Sequence, residues 1–62
     1  MLSFRVIVVV DGERTIQLVE SFERVPRAGQ VIALPGAEPV TVRHVIAARR
    51  NGLAGVVLAW AS

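Results

Sequence analysis

Two dipeptides constrain this chain more than anything else in it. Asp11-Gly12 and Asn51-Gly52 each stand between runs rich in Val, Ile, Leu and Thr. In that setting either dipeptide is a strong short-range signal for a β-hairpin. Between them lie two more turn signals, "VPRAG" at 25–29 and "PGAEP" at 35–39. No segment of ten or more residues combines helical apolar spacing with capping residues at its ends. Strands are therefore predicted at about 2–10, 14–22, 30–34, 40–49 and 55–61. β-branched runs punctuated this regularly make an all-β class the expectation, as a small sandwich or barrel.

Size decides what such a domain needs. Sixty-two residues form one domain, 1–62, and a core this small rarely supplies more than about 3–5 kcal/mol, so a staple is usual. With no Cys and one His, neither a disulfide nor a structural zinc site serves. No metal or cofactor is expected, and oligomerisation remains as the staple. The chain is 53% hydrophobic, yet its longest purely apolar run, "VIVVV" at 6–10, falls far short of the roughly 18 residues of a membrane span. It shows no signal-peptide pattern. The reading is a cytoplasmic protein without a membrane partner. The net charge is only +2, and all seven cations are Arg. Arg suits stacking and bidentate phosphate contacts, but this charge is too small to argue for nucleic acid by itself.

Register arithmetic assigns the faces. A two-residue Asn51-Gly52 turn pairs Arg50 with Leu53, and counting back sets His44 opposite Ala59 and Val42 opposite Ala61. On the other face Ala47 meets Val56, Val45 meets Leu58 and Arg43 meets Trp60. In the first hairpin a strict two-residue turn opposes Val8 to Thr15. A turn longer by one residue opposes Val8 to Ile16 and Val6 to Leu18, which gathers an apolar face and is preferred. Ile7 and Val9 then stay on the outer side. Both hairpins carry a second apolar face, where a sheet with one solvated face alternates apolar and polar. The economical cover is another copy of the chain, most simply in a dimer, with Ile7, Val9, Val45 and Leu58 in the contact.

The loop "RVPRAGQVIALPG" at 24–36 carries a resemblance. Pro26, Gly29 and Ile32, followed by Val40, Val42 and Val45, match the "P-x-x-G-x-x-I/V" turn and "V-x-V" strand of many small bacterial SH3-like barrel proteins. The resemblance spans about residues 24–60. It implies a five-stranded antiparallel SH3-like small barrel and carries no function with it. A phosphate-binding loop is ruled out, since no G-x-x-x-x-G-K-[ST] motif and no Lys occurs. Met1-Leu2 and Arg27-Ala28-Gly29-Gln30 also resemble elements of the carbon storage regulator family of RNA-binding proteins. Here the Arg-x-Gly turn comes one hairpin late, with Gln for Glu, and the C-terminal helix is absent. That likeness implies no more than an Arg-bearing small β dimer.

Few residues suggest chemistry. His44 is the only His and falls, in this register, on an apolar face with Val42 and Ile46. No nucleophile with an orienting acid is identifiable by spacing, so an enzyme is not expected. An oligomeric enzyme would need a pocket on a symmetry axis, lined by polar groups such as His44 or Gln17. Arg43 opposite Trp60 is the pair of most interest, as a cation–π contact or as a stacking platform for an unpaired base helped by Arg49 and Arg50. Arg49 and Arg50 give the second hairpin a basic tip, and Arg27 flanks the central loop. The expected role is a self-associating protein-interaction or assembly module. The alternative is a nucleic-acid-binding barrel using Arg27, Arg43, Arg49, Arg50 and Trp60.

Overall fold

The β-branched runs do become strands. The computed structural model describes residues 1–36 and 38–61. Ala37, inside the predicted 35–39 turn, lies outside the described residues. The strands are β1 (Leu2–Val9), β2 (Thr15–Phe22), β3 (Val31–Ile32), β4 (Val40–Arg50) and β5 (Leu53–Ala61), and no helix occurs among the described residues. Three of them end within a residue of the predicted limits. β5 starts two residues early, because the Asn51-Gly52 turn closes directly on an Arg50–Leu53 pair. β3 is shorter than the predicted 30–34. Beyond Ile32 the chain leaves the ladder, and Leu34 is held instead by its burial in the core.

The sheet order is β2-β1-β5-β4-β3, and the sheet curls into a half-barrel. An entirely antiparallel barrel was expected. The sheet is mixed, because β1 and β5 run parallel, with Val6 beside Val57 and Val8 beside Ala59. The two hairpins are antiparallel by the shortness of their turns. They join through their most apolar strands, which takes β1 and β5 to the centre, and the residues between β2 and β4 carry the chain from one edge to the other.

The core follows the period of two along each strand. Phe4, Val6 and Val8 of β1 meet Val57 and Ala59 of β5 and Val40 and Val42 of β4, with Ile32 and Leu34 closing one side. Phe22 approaches Phe4 edge-on, centroids 5.8 Å apart at 71°. No polar or charged residue is buried among the described ones.

The first hairpin has the longer turn that the apolar pattern favours. Val8 faces Ile16, Val6 faces Leu18, and the register holds without interruption from Val9–Thr15 to Leu2–Phe22. The Asp11 carboxylate accepts hydrogen bonds from the Glu13 and Arg14 amides at 2.8 and 3.0 Å, and the Val10 amide donates to the Arg14 carbonyl. Three residues thus form the loop, closed by an Asx turn.

The second hairpin begins as expected and then departs. Asn51 and Gly52 both have positive φ, 52° and 79°, as a two-residue type I′ turn requires. The pairing then slips twice, between Ala47 and Arg50 and between Val42 and His44. Each slip is a bulge that gives β4 one extra residue. Val45 therefore opposes Val57, His44 opposes Leu58, and Val42 opposes Ala59. The predicted pairs His44–Ala59, Val45–Leu58 and Arg43–Trp60 do not form. The first bulge turns His44 and Ile46 outward and Val45 toward the core, and the second returns Val42 and Val40 to it. Gly55 makes the first bulge possible. A Cβ there would run into the Ile46 carbonyl oxygen, in a strand already buried at that point.

Candidate interaction surface

The outer face of the sheet is built by the same alternation that builds the core. Side chains one residue out of phase with Phe4, Val6 and Val57 project away from it. The registers line them up in rows across four strands. Val19, Arg5, Val56 and Ile46 form one row; Gln17, Ile7, Leu58 and His44 the next; Thr15, Val9, Trp60 and Thr41 the third. The middle of each row belongs to β1 and β5. There Ile7, Val9, Val56, Leu58 and Trp60 are half-buried by their neighbours in the sheet. Val19 and Ile46 flank them at 58% and 51% exposure. A contiguous apolar band thus runs across the two central strands, bordered by Arg5, Thr15, Gln17, Thr41 and His44.

Three of the four residues assigned to self-association from sequence, Ile7, Val9 and Leu58, lie in this band. Val45 does not: the bulges place it on the other side, half-buried against the core. His44 moves the opposite way and is exposed. Val56 was not singled out, although its phase with Leu58 and Trp60 was available as a signal. Ile46 was hidden by the bulges, which leave no mark of their own in the pattern.

Arg43 and Trp60 meet by a route other than direct opposition. Thr41 stands across from Trp60. Arg43 is the extra residue of the second bulge, re-aimed by it, and its guanidinium carbon lies 5.2 Å from the Trp60 ring centroid. That is within cation–π range. Arg49 and Arg50 are exposed at the other end of the hairpin. Seven residues of strand separate Arg43 from Arg50, about 23 Å, so the basic tip does not extend the Arg43–Trp60 pair. Arg27 is exposed in the central loop, where its amide donates to the Gln30 side-chain oxygen at 3.0 Å. It lines a shallow depression with Met1, Phe22 and Arg24. The five predicted binding residues therefore fall in three places.

Gln17 and His44 share the middle row with Ile7 and Leu58 between them. Three inter-strand spacings put them about 14 Å apart, too far to act on one atom within a chain. Among the described residues no group of three His, Cys, Asp or Glu is placed to hold a metal ion. No family model, curated protein or solved structure gives a significant match to this chain.

Proposed function

We propose that this chain is a non-enzymatic protein-interaction module that self-associates, with the outer face of its sheet as the contact surface. One observation carries the reading: the band of Ile7, Val9, Val56, Leu58 and Trp60 sits half-exposed on the two central strands, where a sheet with one solvated face would carry polar residues. Covering each such side chain recovers on the order of 1 kcal/mol, and several act together. Arg5, together with Arg43 over Trp60 at the rim, fits the composition of protein interfaces, which are enriched in Arg and Trp. The simplest partner is a second copy, in a dimer. We read the half-barrel as SH3-like in kind, on the buried Pro26 and the positive φ of Gly29, 91°.

The Arg43–Trp60 contact supports a second reading, in which the pair stacks an unpaired base. Salt separates the two, since phosphate binding weakens steeply as salt rises and apolar contact does not. The experiment is sedimentation equilibrium on the wild-type chain beside Leu58→Glu and Ile7→Glu, with folding checked by far-ultraviolet circular dichroism. The module reading expects either substitution to weaken association at least tenfold. Folded variants that associate as the wild type does would refute it.

A further inference from the structure

The two edges of the sheet are unlike. At one edge β3 offers two residues and is followed closely by Pro35. At the other edge β2 offers eight, without Pro, Gly or Lys, and without a bulge in its pairing with β1. Short strands, prolines, lysines, bulges and inward-pointing charges are the usual protections of an edge; β2 has only the last, in Glu20, which shares the core-side phase of Ile16 and Leu18. Ile16, on this strand, is 52% exposed.

The hydrogen-bonding phase of the edge can be read from one bond. The Val10 amide donates to the Arg14 carbonyl, so this pair is of the hydrogen-bonded kind. Such pairs alternate along an antiparallel ladder. Ile16, Leu18 and Glu20 then spend their backbone groups on β1, and those of Thr15, Gln17, Val19 and Ser21 point outward.

We propose that β2 of a second copy adds to this edge, antiparallel, about a two-fold axis through Gln17. Charge selects that register. It sets Ile16 against the partner's Leu18, Thr15 against the partner's Val19, and Arg14 against the partner's Glu20, the last pair occurring twice. Within one chain Arg14 and Glu20 are six residues apart on an extended strand, about 20 Å, and cannot meet. An axis through Leu18 instead opposes Glu20 to an isoleucine and Arg14 to Phe22, and pairs no opposite charges. An axis through Val19 opposes Arg14 to Arg24. Only the Gln17 axis pairs opposite charges and apolar residues together. This contact uses a different surface from the outer-face band and stands or falls separately from it.

The test uses the Leu58→Glu chain, in which the outer face is disabled, by sedimentation equilibrium in low salt. Edge pairing leaves that chain a dimer. Adding Arg14→Glu or Glu20→Arg opposes like charges at both contacts and is expected to weaken the dimer at least tenfold. An equimolar mixture of the two variants restores opposite charges at both contacts, and dimer returns as the mixed species. The chain carrying both substitutions recovers likewise. Gln17→Pro removes an outward amide without removing a bond to β1, and is expected to leave a monomer. A monomeric Leu58→Glu chain, single charge variants that pair as tightly as their parent, or a mixture that fails to recover would each overturn the proposal.

Discussion

The two hairpins start from similar dipeptides and reach their registers differently. In β1–β2 the register is set once, at the turn. Asp11 draws three residues into the loop with its carboxylate, and from there eight pairs follow without a break. In β4–β5 the turn is the strict two-residue kind, and left to itself it would give a register that two bulges then correct. The difference lies in what the strands must bury. β2 keeps Ile16, Leu18 and Phe22 in a single phase, so one choice at the turn serves its whole length. β4 carries Val40 and Val42 in one phase and Val45 in the other, so no single register buries all three. Each bulge reverses the phase once. The second leaves Arg43 outside the ladder and free to reach Trp60.

This contrast can be broken most severely by deletion. Removing Gln17 from β2 reverses the phase of one half of an uninterrupted strand and sends either Ile16 or Leu18 to the wrong face. Because a core of this size supplies only about 3–5 kcal/mol, loss of the cooperative thermal transition is expected. Removing Arg43 from β4 takes out the unpaired residue of a bulge and leaves every neighbour on its present face. That variant is expected to melt cooperatively within about 1 kcal/mol of the wild type, with the environment of Trp60 altered in its fluorescence. Equal damage from both deletions would mean that the bulges do not set the β4 register.

A smaller effect is expected at Gly55. Gly55→Ala forces a methyl group against the Ile46 carbonyl, an overpacking that costs about 1–3 kcal/mol. Denaturant unfolding measures the loss, and hydrogen exchange is expected to locate it in β4 and β5 rather than in β1–β2.

The turns themselves come last. Asn51→Ala puts a residue with a Cβ and no compensating amide at a φ of 52°, a cost of about 1 kcal/mol. Asp11→Ala removes two hydrogen bonds from an exposed loop, and about 0.5–1.5 kcal/mol is expected. If the Asp11 loop alone holds the first register, its loss also loosens amide protection along β2, whereas Asn51→Ala leaves protection beyond the bulges intact.

How far the sequence could be read follows the same division. The three-residue turn of the first hairpin was legible, because only that register gathers Val6, Val8, Ile16 and Leu18 on one face. The type I′ turn at Asn51-Gly52 was legible from the dipeptide. The bulges were not, since the one residue each adds looks like any other strand residue. Gly55 was the available hint: a glycine inside an apolar strand marks a bulge or a close backbone approach. Misreading β4 placed His44 on the same apolar face as Val42 and Val45 on the opposite one. The parallel contact of β1 with β5 joins the two ends of the chain, and no local pattern announces a partner that distant. Ile7, Val9 and Leu58 were placed on the outer face correctly because their strands alternate regularly.

The central claim is that the outer face of this sheet is covered by a second copy. The most direct measurement is the solution mass of the Gln17→Pro chain, its β2 edge blocked and its outer face intact, across a range of concentrations, at low and at high salt. The expected result is a mass above that of one chain that persists when salt is raised, as apolar contact requires. A single-chain mass at every concentration and both salts would contradict it.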